Sequence, residues 1–230
     1  MFPFFFFDPT IALLIPAVIL AVYAQFKVKG TFQKYLRVPA GSGMSGAQVA
    51  RALLNQNNLQ DVPVEITQGS LSDHYDPRKK VLRLSPQVYQ GRSLAALGVA
   101  AHETGHAVQH AKSYIPLNLR NAFFPVASFG SSLAFPLFII GLLFGAGGLM
   151  DLGIILFTAA VLFQILTLPV EFNASSRALM MLENGGYLSR GREIQGARQV
   201  LNAAALTYLA ATAMAVLQLL RLLLLRGSRR

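Results

Sequence analysis

The sequence predicts a mainly α-helical integral membrane protein that also carries a small α+β unit with a β-hairpin. Of its 230 residues, 53% are hydrophobic and 13% are charged, about half the charged fraction that is typical of a soluble domain. A large soluble helical core is the alternative, but a chain of this size could not bury four long apolar stretches. Each of these uncharged runs is about long enough to cross a bilayer as a helix: residues 9–26, 121–150, 152–170 and 203–220.

The first apolar run is predicted to be a retained anchor within residues 1–37. No Lys or Arg precedes it, although a secretory signal peptide needs positive charge there. Four basic residues follow it closely: Lys27, Lys29, Lys34 and Arg37. The positive-inside rule therefore predicts that the chain after residue 27 is cytoplasmic. With basic residues placed beside apolar runs, the net charge of +10 indicates anionic lipid headgroups as partners rather than nucleic acid.

The one long polar stretch, residues 38–120, is predicted to form a cytoplasmic subdomain. Ser45 fits the N-cap of a helix that ends near Asn57, because serine accepts a hydrogen bond from the first helical turn. Ser93 fits the N-cap of a second helix that ends near Lys112. This subdomain has little core of its own and is expected to rest on the membrane helices.

Two short segments between these helices alternate in the way that strands do, namely residues 63–67 and 80–84. The chain between them is rich in turn-forming residues, so a β-hairpin with a long loop is expected. Three loop side chains either line a functional site or serve ordinary turn chemistry: Asp73, His74 and Asp76.

The C-terminal half is predicted to hold a transmembrane helical hairpin, residues 121–170, followed by residues 171–230. The turn at 147–151 lacks Lys and Arg, as an external loop should. An outward crossing by the last apolar helix would place basic residues on the wrong side: Arg226, Arg229 and Arg230. The sequence leaves open whether this helix crosses fully.

The second helix of the polar stretch contains the sequence His102-Glu-Thr-Gly-His106. Residues four apart share one helical face, so both imidazoles can reach one metal ion. Glu103 stands beside the first histidine, where it can hold and deprotonate a catalytic water. The chain has no cysteine, so the ligands must be nitrogen or oxygen, and one zinc ion per chain is predicted. The alternative is a buried polar cluster without metal.

A third protein ligand is expected, and Glu171 is the best candidate. The extended pattern with a further histidine is absent because Lys112 occupies that position. His110 lies about 12 Å along the axis from the first histidine, and His74 lies in a loop. Two crossings separate Glu171 from the histidine pair, which places them on the same side of the membrane. The alternative is an interfacial glutamate paired with Arg177.

The chain resembles the YugP-like family of bacterial neutral zinc metallopeptidases, relatives of the HtpX and CAAX-prenyl-protease types. The resemblance covers about residues 45–211 and depends on four segments: residues 72–77, 100–106, 169–175 and 203–208. It implies a gluzincin-type, zincin-like site with His102 and His106 as ligands and Glu103 as base. It also matches Glu171 to the downstream glutamate of the family.

The resemblance implies further roles around the site. The HtpX-type relatives have an aspartate four residues after the glutamate, where this chain has Ser175. Support for the ligands is therefore expected from elsewhere, with Asn173 as a candidate. In relatives the strand before the catalytic helix offers an edge to substrate, which points to Arg83 and Leu84 unless that strand is only structural. Two residues are candidates for oxyanion contacts, or are structural: Asn202 and Tyr208.

The sequence therefore predicts a multi-pass cell-membrane zinc endopeptidase with a cytoplasmic active site that acts on peptide or protein substrates. The alternative is a non-catalytic metal-binding membrane scaffold, although the presence of Glu103 argues against it because ligands alone suffice for binding. The oligomeric state stays open.

Overall fold

The computed structural model describes residues 9–228 and is mainly helical. In chain order the elements are a 3₁₀ helix Pro9–Leu14, α1 Ile15–Leu36, α2 Gly46–Gln56, β1 Val64–Ile66, β2 His74–Asp76, β3 Val81–Leu84, α3 Pro86–Tyr89, α4 Leu94–Ala111, α5 Ile115–Phe144, α6 Gly147–Asn184 and α7 Arg192–Gly227. Within residues 9–228, four helical stretches are long and apolar enough to cross a membrane, and they contain α1, α5, α6 and α7. The predicted helical membrane class is confirmed. The start of the predicted anchor, residues 1–8, and the predicted positions of Arg229 and Arg230 lie outside the described residues.

The apolar runs underestimate the lengths of these helices. α1 continues through its basic flank to Leu36, and α7 begins at Arg192 rather than near residue 203. α6 passes residue 170 without a break and includes Pro169. An apolar run marks the part of a helix that suits lipid, whereas the helix itself continues as long as its backbone hydrogen bonds do.

The chain divides into two compact units. The first, here called the helical unit, comprises the described residues up to Ala24, Leu119–Leu168 and those from Thr207 onward. The second, here called the α+β unit, comprises Gln25–Asn118 and Pro169–Leu206. Each of the four long helices contributes residues to both units.

The two helices predicted from their serine caps are confirmed in the α+β unit. Ser45 forms a capping box with Gln48, in which each side chain bonds the other residue's backbone N–H. Ser93 accepts the N–H of Ala96 at the start of α4. The apolar face of α2 is fully buried in the core of this unit and consists of Val49, Ala50, Leu53 and Leu54.

The sheet corrects the predicted hairpin. Its strand order is β1-β3-β2, with β1 parallel and β2 antiparallel to β3. The hairpin is therefore β2–β3, and the segment predicted to be a loop contains β2. Asp76 makes this possible because its side chain accepts the N–H groups of Arg78 and Lys79 and so closes a tight turn.

The same topology shows that the substrate edge predicted at Arg83 and Leu84 is wrong. Both residues belong to β3, which is the central strand. Arg83 pairs with Glu65 on one side and with His74 on the other, while Leu84 pairs with Ile66. A strand with neighbours on both sides has no free backbone edge there, and the free edges belong to β1 and β2.

The helical unit is held by close helix approaches and by polar contacts near helix ends. A Cβ on Gly153 of α6 would lie 2.7 Å from the carbonyl oxygen of Ala134 on α5, so the glycine permits the contact. Arg226 of α7 makes two hydrogen bonds to Asp151 near the start of α6, at 2.8 and 3.0 Å. The C-terminal end of α7 therefore lies beside the N-terminal end of α6.

Candidate metal centre

Two helices of the α+β unit bring three potential metal ligands together. α4 carries His102 and His106, and α6 carries Glu171. One ligand atom from each residue lies within 4.8 Å of the others. The Oε2 atom of Glu171 is 3.3 Å from Nε2 of His102 and 3.5 Å from Nε2 of His106. Such a set of two imidazoles and a carboxylate is a donor set that suits zinc.

The close approach of α4 and α6 at this point depends on Gly105. A Cβ at this position would lie 2.8 Å from the carbonyl oxygen of Ala174, which is shorter than side-chain atoms tolerate. Gly105 lies between the two histidines in the chain, and Ala174 lies one helical turn after Glu171. The missing side chain therefore allows the glutamate to reach both imidazoles.

The second nitrogen of each imidazole has an oxygen partner on the far side of the ring. Nδ1 of His102 lies 3.2 Å from Oγ of Ser175, and Nδ1 of His106 lies 3.0 Å from Oε1 of Gln109. With Nδ1 engaged, both Nε2 atoms face Glu171. Zinc-binding histidines in proteins are oriented in this way, so the residues present fit a zinc ion.

Glu103 is buried, with 8% of its surface exposed. Its Oε2 atom accepts the backbone N–H of Tyr75 on β2 at 3.0 Å. The hydroxyl of Tyr75 lies 2.9 Å from Nδ1 of His110. Burial, followed by the negative charges of Asp61 and Asp76, raises the pKa of the Tyr75 phenol to about 12. α4 is thus tied to the edge strand through the carboxylate of Glu103.

The other site residues predicted from the sequence, Asn173, Asn202 and Tyr208, lie in different parts of the structure. Asn173 accepts hydrogen bonds from Gln109 and Arg177 at its Oδ1 atom, so it acts on the neighbourhood of His106 through Gln109. Asn202 is exposed and lines a cavity of about 230 Å³ that Ser175 also lines. Tyr208 belongs to the helical unit, where its carbonyl oxygen accepts the hydroxyl of Thr212. The oxyanion roles of Asn202 and Tyr208 stay predictions.

The loop residues around β2 have structural contacts that support the turn interpretation. Asp73 accepts the N–H and the hydroxyl of Ser85, and burial still raises the pKa of its carboxyl group. The backbone N–H of Lys79 is the main cause of a lowered pKa at Asp76. His74 is exposed, and its Nδ1 atom lies 2.8 Å from the carbonyl oxygen of Ser72.

Sequence reasoning missed Gln109 and misjudged Ser175. Gln109 is fully buried and stands three residues after His106, so it shares the helical face of the histidine pair, and a polar residue at that spacing was the available signal. Ser175 was expected to leave the ligands without support, yet its hydroxyl contacts His102. It stands four residues after Glu171, one turn along the same helix.

The fold and this cluster define a helical membrane protein with a possible metal site built from two histidines and a glutamate. The family model described as "Putative neutral zinc metallopeptidase" matches residues 10–227, and the chain belongs to this family. It is 53% identical over 215 residues to the "Putative membrane protease YugP" of Bacillus subtilis (strain 168), covering 94% of this chain and 95% of that protein. No solved structure was found to match the chain.

Proposed function

We propose that the protein is a zinc-dependent endopeptidase of the cell membrane, with Glu103 as general base. The observation that carries the proposal is the convergence of His102, His106 and Glu171 from two helices, with Glu103 buried beside the first of them. Membership of the zinc metallopeptidase family and the protease name of the relative support the same activity.

One zinc ion per chain would be held by Nε2 of His102, Nε2 of His106 and a carboxylate oxygen of Glu171. Bound there, zinc supplies Lewis acidity towards a substrate carbonyl and lowers the pKa of water. The protein residues fix the ligand atoms in advance, because the α4–α6 contact at Gly105 sets the distance between the helices. Ser175 and Gln109 set the orientation of the two rings.

Glu103 is proposed to accept a proton from the attacking water at Oε2 and to deliver it to the leaving amine. Its carboxylate is on the same helix as both histidines, and burial keeps it away from bulk water. The N–H of Tyr75 donates to that same oxygen, which holds the carboxylate in one orientation. A general base needs such a fixed position within reach of the proton it accepts.

We place the substrate along β2. This strand is an edge of the sheet, and the N–H of Tyr75 on it donates to Glu103 of α4. A peptide that added beside β2 would therefore lie against the general base. Backbone pairing of this kind tolerates many side chains, which suits a peptidase that acts on unfolded or membrane-associated proteins.

The active site is proposed to face the cytoplasm. The basic residues that follow the first apolar run belong to the α+β unit, which also contains the candidate metal centre, and the positive-inside rule places such residues on the cytoplasmic side. In this assignment residues 1–37 are the anchor, 38–120 the catalytic subdomain and 121–170 the transmembrane hairpin. Residues 171–230 supply the third ligand and the last apolar helix.

The decisive experiment compares the wild type with Glu103→Gln, both purified as full chains in detergent. The wild type should contain one zinc per chain and cleave an unfolded protein such as casein in a chelator-sensitive manner. Glu103→Gln should keep its zinc and lose about 10²–10⁴-fold in cleavage rate, the usual contribution of a general base. The matched control is Glu65→Gln, at an exposed position on β1, which should cleave at the wild-type rate.

Two results would count against the proposal. Normal cleavage by Glu103→Gln would remove Glu103 from the mechanism. Bound zinc without cleavage of any protein or peptide by the wild type would favour a non-catalytic metal-binding scaffold.

A further inference from the structure

We infer that Gln109 is a positioning residue that holds His106 with Nε2 directed at the metal and ties α4 to α6 on both sides of Glu171. The inference rests on the proposed zinc site. Gln109 is fully buried although glutamine is mostly exposed in folded proteins. A polar side chain in such a place must have its hydrogen bonds satisfied.

The orientation of the Gln109 amide is fixed by a backbone group. Its Nε2 atom donates to the carbonyl oxygen of Val170 at 2.8 Å and to Oδ1 of Asn173 at 3.0 Å. A backbone carbonyl can only accept, so the NH₂ group must be on this side. The amide oxygen of Gln109 therefore faces the opposite direction, towards His106.

This orientation selects the tautomer of His106. Oε1 of Gln109 lies 3.0 Å from Nδ1 of the imidazole. An amide oxygen can only accept, so Nδ1 must carry the proton. In a neutral imidazole the lone pair is then on Nε2, the nitrogen that lies 3.5 Å from the Glu171 carboxylate. His106 is thus held in the form that binds a metal ion.

The same side chain also sets the register between the two helices. Its acceptors, Val170 and Asn173, stand immediately before Glu171 and two residues after it. Asn173 is itself held, because its Oδ1 atom accepts Nε of Arg177 at 2.7 Å. The guanidinium of Arg177 lies over the ring of Tyr114. Gln109 is therefore the link between one histidine ligand and the segment that carries the third ligand.

The contact that His102 makes at Nδ1 does not select a tautomer of its ring. Its Nδ1 atom contacts the hydroxyl of Ser175, and a hydroxyl can rotate to donate or to accept. Ser175 therefore keeps the ring in place without choosing between tautomers, whereas Gln109 does both for His106. Loss of Gln109 is expected to affect zinc binding more than loss of Ser175.

The test uses two substitutions that separate the acceptor from the donor of the amide. Gln109→Met is close in size and removes both functions. Gln109→Glu keeps an acceptor for Nδ1 of His106 but places an oxygen against the carbonyl of Val170. Zinc affinity of the full chain in detergent is measured by competition with a chelator, and the thermal midpoint is measured on the chelated protein.

We expect zinc affinity to follow the acceptor and stability to follow the donors. Gln109→Met should bind zinc about 10–100-fold more weakly, the usual effect of losing the partner of a metal-binding histidine. Gln109→Glu keeps the acceptor for Nδ1 of His106, so its zinc affinity should stay within a few-fold of the wild-type value. Its thermal midpoint without zinc should be lower than that of Gln109→Met, because an oxygen then faces the carbonyl of Val170. The control is Thr104→Val, on the same helix and equally buried, whose hydroxyl bonds only the carbonyl of Ala100 among the contacts described. It should leave zinc affinity unchanged.

The outcomes distinguish this inference from the proposed function. If the wild type binds no zinc, the proposed function fails. If the wild type binds zinc and Gln109→Met binds it equally well, or if Gln109→Glu loses as much affinity as Gln109→Met, only the positioning role fails. Should neither variant fold, Asn173→Ala supplies the test. It removes one of the two acceptors of Gln109 and should weaken zinc binding several-fold, and unchanged affinity would overturn the inference.

Discussion

The helical unit and the α+β unit use polar side chains for different purposes. In the helical unit the polar contacts join one helix to another, as Arg226 joins Asp151 and as Arg221 joins Thr10. In the α+β unit a connected set of polar side chains surrounds two histidines, and a fully buried glutamine is its centre. The polar contacts of the helical unit hold helices together, whereas those of the α+β unit orient the side chains of the candidate metal centre.

The two units also differ in how they treat large apolar side chains. Phe129 and Phe144 of the helical unit are 68% and 81% exposed, and they lie on α5, one of the helices that are long and apolar enough to cross a bilayer. The α+β unit has the larger core of buried residues, which includes Leu53, Leu82 and Leu97. The hydrophobic effect can therefore hold the α+β unit together, whereas helices in lipid depend on close packing.

Each unit has a glycine at a point where two helices approach closely, so the same glycine-to-alanine substitution can be compared in both units. A Cβ on Gly105 would lie 2.8 Å from the carbonyl oxygen of Ala174, and a Cβ on Gly153 would lie 2.7 Å from that of Ala134. We expect Gly105→Ala and Gly153→Ala each to destabilise the protein by about 1–3 kcal/mol, the usual cost of overpacking. Only Gly105→Ala should weaken zinc binding, by at least about tenfold, because it displaces Glu171 relative to both imidazoles.

Thermal midpoints of the chelated proteins and zinc affinities of the two variants test this pair. Equal losses of zinc affinity would show that the two units are coupled and that the metal centre does not depend on the α+β unit alone. A loss of stability in both variants, with weaker zinc binding only in Gly105→Ala, would confirm that the two glycines serve different purposes.

The sequence predicts elements well where local rules decide. The serine caps of α2 and α4 are satisfied within one helical turn, so Ser45 and Ser93 were sufficient to find them. The parallel pairing of β1 with β3 joins segments that are farther apart in the chain, and alternation cannot distinguish a parallel neighbour from an antiparallel one. β2 was missed because its three residues lie in a segment rich in turn formers, and without β2 Arg83 was placed on an edge.

Prediction of the site had the same limit. The spacing of His102 and His106 is local, and Glu171 was predicted on their side of the membrane by counting the apolar runs between them. The partners of the rings could not be deduced in this way, because Gln109 meets Asn173 only after α4 and α6 have packed. The roles of these residues as zinc ligands stay predictions until metal is measured.

The hydroxyl of Ser175 gives a second, smaller comparison. Ser175→Ala removes the oxygen that lies 3.2 Å from Nδ1 of His102, and we expect zinc affinity to fall about tenfold, at the low end for a partner of a ligand. Ser176→Ala, at the exposed neighbouring position, should bind zinc as the wild type does. Chelator competition measures both. Equal affinities for the two variants would mean that His102 needs no oxygen partner.

Tyr75 provides the smallest expected effect, on stability rather than on zinc. Tyr75→Phe removes the hydroxyl next to His110 but keeps the N–H that bonds Glu103, so zinc affinity should not change. The lost hydrogen bond should lower stability by about 1 kcal/mol at most near pH 8. Because the phenol pKa in the folded protein is raised to about 12, above about 10 in the unfolded chain, the stability from the neutral phenol is fully present below pH 10. It is lost as the pH rises from 10 to 12.

The measurement is the difference in thermal midpoint between the wild type and Tyr75→Phe from pH 8 to pH 12. The difference should be constant up to about pH 10 and then shrink, because only the wild type has this phenol to ionise. A difference that did not change with pH would show that the pKa of Tyr75 is not raised in the folded protein. A change in zinc affinity at pH 8 would instead connect the hydroxyl of Tyr75 to the metal site. The contact between Tyr75 and His110 would then belong to the polar contacts that support the metal ligands, and not to those that only stabilise α4.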